Sequence, residues 1–529
     1  LPKTKFSFKT FLEIKLLSPF IFMFANLRNT VVTAYLSRRM PHIAKWVLYP
    51  VASQEQVFNH LIASAKQTAW GKQYHYKSIE NIADFQRQVP LSDYDRLKPF
   101  INQMLNGEAN TLWPGEIRWF AKSSGTTSDK SKFIPISSEN LKTCHYQAAI
   151  DIMALYIAAN PKHKIYTGKG LVLGGSHSIN KLNPRVQYGD LSAVLLQNMP
   201  SVGRINNAIG TDIALMDEWI AKIERMAKAT IPQNITHLAG VPTWTIVLIK
   251  RIFEMTGKAN LRDVWPNLEL YIHGGVSFTP YRNQFSQLVR GEGMHYWQTY
   301  NASEGFFGIQ EDNNRDDMLL LTNHGVFYEF VPLNQLDAEH PQALTLDQVQ
   351  INTNYAICIS TNTGLWRYLL GDTIQFTSIN PFRIKVTGRT KHFINAFGEE
   401  VIVDNADQAI ARACAQTGMQ VREYTAAPIY FSNTGNGGHE WLVEFAQLPD
   451  DLQYFAQLTD EALQQLNSDY EAKRYKNIAM KPLVMHAVPP GTFYKWLESK
   501  GKLGGQHKVP RLANHRQYID EIKTLCGLN

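Results

Sequence analysis

Cysteine is scarce: Cys144, Cys358, Cys414 and Cys526 are the only four in 529 residues. No two form a CxxC pair and none has a histidine at metal-ligand spacing, which argues against a disulfide framework and a Cys/His zinc site. A reducing, cytoplasmic setting is the simpler expectation. Long hydrophobic runs are also missing. The nearest, Leu16–Leu27 (LLSPFIFMFANL), follows Lys3, Lys5, Lys9 and Lys15 as the core of a signal peptide would, but Pro19 interrupts it and no small-x-small cleavage pattern follows. It also falls short of the about 20 apolar residues that span a bilayer. The expectation is an amphipathic helix packed on the body of the protein, without stable membrane insertion; export or contact with a membrane surface is the alternative. Nor is there a large excess of one charge. Lys plus Arg number 53 against 46 Asp plus Glu, a formal +7, and no basic block carries interleaved aromatics. That balance suits small anionic ligands and excludes nucleic acid as the expected partner.

Several catalytic signatures are absent as well. No GxxxxGK[ST] occurs, and Gly168-Lys169-Gly170 is followed by Gly174, one residue late for GxGxxG. His145, His177, His237, His273 and His295 show neither HExxH spacing nor a GxSxG partner, so structural roles are expected, with His145 alone a candidate to touch substrate.

What is present describes a soluble globular chain, 44% hydrophobic and 19% charged, too long for one ordinary core. The first hundred residues read as helices: VFNHLIASAKQTAW has apolar residues at helical spacing, and DYDRLKPFINQML follows the break at Pro90. From Gly168 short β-rich runs (GLVLGG, THLAGVP, LELYIHGG) alternate with amphipathic segments (MDEWIAKIERMAKAT, WTIVLIKRIFEMTG), which predicts a mainly parallel sheet flanked by helices. Met318–Thr387 suggests a smaller antiparallel β-region. A second alternation starts after Gly388. The fold class expected is therefore α/β, with a large domain over 1–388 and a smaller α+β lid domain over 389–529.

Four stretches carry chemistry. In FAKSSGTTSDKSKFIP, Ser123, Ser124, Thr126 and Thr127 surround Gly125, with Lys130 and Lys132 close behind; such a loop cradles an anion, or is a solvated Ser/Thr turn. In YNASEGFFG, the residues Tyr300, Ala302, Ser303 and Glu304 put one carboxylate into an apolar setting, where a metal ion or a hydrogen-bond donor must compensate it. In LLGDT, Asp372 behind a glycine is suited to ribose hydroxyls or to an Asx-turn. FRIKVTGRTKHFINAFGEEV places Gly388 and Arg389 after a strand.

In this order the four resemble the adenylate-forming superfamily. Within it the chain resembles the Gretchen Hagen, or auxin-responsive, family of acyl acid amido synthetases, especially its bacterial members: SSGTT with lysine nine residues after the first serine, GVPTW at Gly240–Trp244, HGGVSF at His273–Phe278, and YNASEGFFG. The likeness runs roughly from Ala69 to the end. The superfamily's phosphate loop has a glycine where Ser128 stands, and Lys132 lies one position late for it. The resemblance implies ATP and Mg²⁺ as cofactors, with a carboxylic acid and an amino acid as small-molecule partners. It implies that Ser123, Ser124, Gly125, Thr126 and Thr127, with Lys132, hold the β- and γ-phosphates, and that Glu304 binds the metal. Asp372 would grip the ribose and Arg389 would approach the ribose or α-phosphate. Gly274, Gly275, Val276 and Ser277 would line the adenine, with Tyr300 stacked nearby beside Ala302 and Ser303. Lys508, in GGQHKVPRL, would join Thr127 and Glu304 in catalysis by bridging the carboxylate and the α-phosphate; Lys500 and Lys502 compete for that role, and a surface lysine is the plain alternative. The expected reaction is acyl-adenylate formation followed by amide formation. An acyl- or aryl-CoA ligase and a non-catalytic nucleotide or acyl-ligand binder are the rivals.

Overall fold

The computed structural model describes residues 8–124, 131–174, 179–216, 218–275, 278, 281–336, 338–390, 393–399, 401–431, 437–500 and 509–528. The chain opens with α1 (Phe8–Ser37), a single helix running through Pro19. Shorter helices follow, stopped and started by local chemistry. The Thr68 side chain caps the helix Ala69–Gln73 by accepting from Gly71 N–H, and Asp93 caps Tyr94–Leu105 by accepting from Arg96 N–H. Pro242 begins the helix Pro242–Thr256, where its missing N–H is harmless.

A hairpin of β1 (Trp119–Ser124) and β2 (Ser131–Ile136) comes next, with Ser123 opposite Lys132 and Ser124 opposite Ser131. Then come β3 (Lys169–Val172), β4 (Ile235–Gly240), β5 (Leu270–His273) and β6 (His295–Ala302), four parallel neighbours joined through helices. These are the β-rich runs that the sequence alternates with amphipathic segments. The chain then reverses. β6 turns through Ser303 and Glu304 into the antiparallel β7 (Gly305–Ile309), with Ala302 opposite Gly305. β8 (Met318–Leu320), β9 (Val326–Pro332), β10 (Asn354–Thr361), β11 (Tyr368–Ile379) and β12 (Phe382–Arg389) extend the same sheet. Its order is β9-β10-β11-β12-β8-β7-β6-β5-β4-β3. The antiparallel region expected over Met318–Thr387 is thus no separate sheet: the Ser303–Glu304 turn continues one ten-stranded sheet from parallel to antiparallel. β9 and β10 are buried along nearly their whole length, because helices cover the sheet and their Val, Ile, Phe and Tyr side chains have no wet face.

β12 ends at Arg389, one residue past the expected domain boundary at Gly388. Beyond it, the strands Val421–Ile429, Gly438–Phe445 and Val484–Val488 form a three-stranded sheet, accompanied by the helices Val403–Thr417 and Leu452–Leu466. This part shares a core with the first. Trp244 and Tyr281 pack into one cluster with Ile394, Phe397 and Phe431; the Tyr281 hydroxyl donates to the Ala396 carbonyl, and the Lys473 ammonium stands 4.8 Å from the centre of the Trp244 ring.

Candidate active site

Three segments far apart in sequence meet where the parallel half of the sheet gives way to the antiparallel half. The first is the β1–β2 hairpin. Lys132 Nζ donates to the Tyr368 hydroxyl at 3.3 Å, and it lies 5.6 Å and 6.0 Å from the ring centres of Tyr94 and Tyr368. The phenol of Tyr94 also accepts from Phe133 N–H at 2.9 Å. The lysine is therefore aimed by two aromatic walls at the base of the Ser/Thr loop. Residues 125–130 of that loop, including Gly125, Thr126 and Thr127, lie outside the described residues, as do the side chains of Ser123 and Ser124.

The second segment is the turn itself. Ser303 and Glu304 are the two residues that reverse β6 into β7, so the acid is fixed by backbone pairing on both sides. Glu304 is buried, at 7% exposure. Its charge is felt by Tyr368: burial raises that phenol well above its usual range, and Glu304 raises it further. Tyr368 thus stays protonated between an anion and the Lys132 ammonium.

The third segment joins β11 and β12. Asp372 and Arg389 are register partners, and the Arg389 Nε donates to Asp372 Oδ1 at 2.7 Å. The other carboxylate oxygen accepts from the Tyr300 hydroxyl at 2.7 Å. A bulge presents the acid: from Ala356 to Cys358 β10 advances two residues while β11 runs from Thr373 back to Leu369, four, with Gly371 at φ +91° taking the left-handed turn. Burial and the Asp372 charge push the Tyr300 phenol well above its usual range, which makes it a fixed donor. The Arg389 guanidinium also lies 4.8 Å from the centre of the Phe393 ring, beyond the end of β12.

The carboxyl ends of the parallel strands form the adjoining wall, the place where open α/β sheets bind ligands. Gly274 and Gly275 leave β5 there. A Cβ on Gly274 would lie 2.6 Å from Thr299 Oγ1 and 2.8 Å from the Thr299 carbonyl, so only glycine lets the backbone pass this close to β6. Val276 and Ser277 lie outside the described residues. An open cleft of about 700 Å³, lined by residues such as Lys164, Glu269 and His295, lies at the opposite, amino ends of β5 and β6 and is remote from these groups.

The structure brings Lys132, Tyr300, Ala302, Ser303, Glu304, Asp372 and Arg389 to one end of the sheet. It also alters the reading of Tyr300. The ring is 7% exposed and packs against Phe307 at 5.0 Å between centres, and the hydroxyl is spent on Asp372; this suits orienting the acid better than stacking on a base. Lys508 and Lys502 lie outside the described residues, whereas Lys500 Nζ is paired with Glu521 at 2.9 Å. Sequence reasoning missed Tyr368 and Tyr94. Tyr368 stands four residues before Asp372 on β11, a position the LLGDT motif could have drawn in. His145 is buried on a π-helical turn, Leu141–Tyr146, and neither ring nitrogen has a partner; burial pulls its pKa down to about 4, so it is neutral at ordinary pH.

Among the described residues no group of three His, Cys, Asp or Glu side chains could by itself hold a metal ion. A Mg²⁺ that takes one protein carboxylate and completes its shell with phosphate oxygens needs no such group, and the buried Glu304 fits that requirement.

Comparison with known proteins shows the family and the fold. The GH3 family N-terminal domain matches residues 39–294, the GH3 family central domain 319–389, and the GH3 family C-terminal domain 404–517. Among similar proteins, the indole-3-acetic acid-amido synthetase GH3.3 of Arabidopsis thaliana is 22% identical over 87% of this chain and 89% of its own length. The 4-substituted benzoates-glutamate ligase GH3.12 of Arabidopsis thaliana is 20% identical over 83% of this chain and 89% of its own. Of the solved structures, the GH3.15 acyl acid amido synthetase superposes with a TM-score of 0.60 at 16% identity, covering 93% of this chain and 96% of that one, which shows the common fold.

Proposed function

The chain belongs to the GH3 family, and from that premise we propose that it is an ATP-dependent ligase joining a small carboxylic acid to an amino acid. A carboxylate is a poor electrophile, because it is anionic and its leaving group is oxide. In the first step a carboxylate oxygen attacks the α-phosphorus of ATP; the acyl–O–P bond forms, the bond to the β-phosphate oxygen breaks, and pyrophosphate leaves. In the second the amine nitrogen attacks the acyl carbon, AMP leaves with the C–O electrons, and the nitrogen loses a proton. Both steps depend on position and on neutralising phosphate charge rather than on a strong acid or base.

The single observation that supports this reading is the convergence of the Lys132–Tyr368 and Tyr300–Asp372–Arg389 contacts around the turn bearing Glu304. Lys132 and the Ser123–Thr127 loop are assigned to the β- and γ-phosphates. Asp372, aimed by Tyr300, keeps a second lone pair on each oxygen for ribose hydroxyls. Arg389 offsets that acid's charge at the end of β12 and brings a guanidinium toward the ribose or α-phosphate. Gly274, Gly275, Val276 and Ser277 are assigned to the adenine. Glu304 is assigned to Mg²⁺, which when bound neutralises phosphate charge. We assign residues 1–388 to the nucleotide and acid, and 389–529 to a lid whose hinge lies at Gly388 and its neighbours and which carries Lys508 to the adenylation step.

Pyrophosphate release over a panel of indole and benzoic acids, with amino acids or coenzyme A added in turn, tests the proposal. Acid-dependent release with amide formed from one of the twenty amino acids is the expected result. Thioester without amide would make the enzyme a CoA ligase, and ATP binding without release would make it a binder.

A further inference from the structure

Helix α1 leaves much of its apolar surface uncovered. Its contacts with the body combine the apolar side chains of Val32 and Leu36, which join the cluster of Ile43, Trp46 and Ile152, with several polar ones. Arg28 donates to the carbonyls of Tyr166 at 2.7 Å and Gly168 at 2.8 Å. Asn29 donates to the His163 carbonyl at 3.2 Å and accepts from Tyr166 N–H at 3.0 Å, and the Thr33 hydroxyl meets His163 Nε2 at 3.0 Å. The side open to water carries Asn26 and Thr30 but also five large apolar side chains: Met23 is 56% exposed, Phe24 62%, Leu27 57%, Val31 59% and Tyr35 64%. Phe24, Leu27, Val31 and Tyr35 recur every three or four residues and so form one stripe along the helix. A globular protein ordinarily hides such a stripe. Five large apolar side chains more than half exposed make a patch on the order of a few hundred Å², the class that marks an interaction surface.

The charge of the same segment says what covers it. Residues 1–38 contain six Lys or Arg, four of them within the first fifteen residues, against the single acid Glu13, a net +5 of the +7 carried by all 529 residues. A second copy of the chain would bring an equally positive segment to the stripe. An anionic bilayer brings the opposite charge and an apolar interior together. We propose that α1 is a peripheral membrane anchor: it lies flat on an anionic lipid surface, with the Phe24–Tyr35 stripe in the acyl boundary and the positive charge of the N-terminal sequence drawing the segment to the headgroups. Among the described residues no helix is long and apolar enough to cross a bilayer. The hydrogen bonds of Arg28, Asn29 and Thr33 tie it to the enzyme's body.

The test is flotation of the full chain with neutral phosphatidylcholine vesicles and with vesicles containing phosphatidylglycerol, beside a Phe24→Ser/Leu27→Ser/Val31→Ser variant. The three sites are exposed and outside the proposed active site, so circular dichroism and pyrophosphate release should match the parent. Binding to the anionic vesicles, weakened by salt, absent on neutral ones and reduced about tenfold or more in the variant, is expected. Equal binding to both vesicle types, binding that survives in the variant, or no binding at all would overturn the proposal. So would a lipid-free dimer in analytical ultracentrifugation that the variant dissociates, because the stripe would then be a self-association face.

Discussion

The two halves of the ten-stranded sheet contribute to the candidate site in different currencies. The parallel half, β3 to β6, ends in glycine-bearing turns and offers backbone and space; Gly274 passes beside Thr299 with no room for a Cβ. The antiparallel half, β7 to β12, offers charge: Glu304 in the buried turn that begins it, then Asp372 held between Tyr300 and Arg389. Parallel strands end at one edge and so gather loops there, whereas antiparallel neighbours face each other across a ladder and can lock one side chain with another. The site sits where both kinds of order are available. If that division is right, substitutions in the antiparallel half should damage rate or affinity with little loss of fold, and those in the parallel half should damage the fold itself.

The sharpest test is Glu304→Gln, which keeps the shape and removes the charge. Adenylation should fall about 10²-fold or more, on the order of 3 kcal/mol of transition-state stabilisation, with an unchanged denaturation midpoint. Pyrophosphate release at the parent rate by the folded variant would remove Glu304 from the metal role.

On the parallel side the counterpart is Gly274→Ala. The added methyl would meet the Thr299 hydroxyl and, more seriously, its carbonyl, which cannot swing aside. Overpacking of this kind costs about 1–3 kcal/mol. Urea denaturation should show the loss directly, and a midpoint equal to the parent's would mean that β5 and β6 can part here at no cost.

The sequence was most legible in short contiguous stretches. The Ser303–Glu304 turn and the Gly371–Asp372 pair are each contiguous, and the structure places both as the residue types suggested: an acid in a buried turn, and a glycine at positive φ before an acid. The alternation of strand and helix from Gly168 likewise foretold β3, β4 and β5 and the helices between them. What joined those pieces was hidden. Tyr300 and Asp372 are 72 residues apart and Lys132 and Tyr368 are 236, and their meeting depends on register and on a bulge that no periodicity reveals. Continuity of the sheet was hidden for a related reason: an antiparallel run reads the same whether it stands alone or extends a parallel one. Along α1 a helix packed on the body was expected, but not that large apolar side chains such as Phe24 and Leu27 would stay uncovered.

Tyr300→Phe probes the middle of the comparison, since the residue stands on the last parallel strand and serves an acid of the antiparallel half. The ring fills its core position unchanged, and only the donor to Asp372 is lost. Asp372 keeps Arg389 but is free to rotate, so KM for ATP should rise about tenfold with kcat nearly constant, the signature of weakened ground-state binding. A fall in kcat with KM unchanged would instead place the phenol against the reacting atoms.

The smallest effect separates the halves by pH. His273, at the end of β5, is 3% exposed and stacked on Phe278 at 3.9 Å, and burial, with Arg282 nearby, lowers its pKa to about 3. It is neutral in the fold and titrates near its ordinary value once unfolded, so its contribution is complete above about pH 6.5 and is lost as pH falls from there toward 3. In the antiparallel half, burial works against the Asp317 charge, yet hydrogen bonds from Arg315 and Thr377 win and hold its carboxyl below the usual range. That contribution is complete above about pH 4 and is lost only below it. Between pH 7 and 6 the folded chain should lose under about 1 kcal/mol through His273, and His273→Asn should remove that share of the slope, leaving the shares of His145 and His237, which burial lowers to about 4. Asp317→Asn should leave the same interval untouched and alter the profile only in acid. Denaturant midpoints at pH 7, 6 and 4 decide the matter; an equal slope from pH 7 to 6 in both variants and the parent would mean that the β5 histidine takes up its proton without leaving the fold.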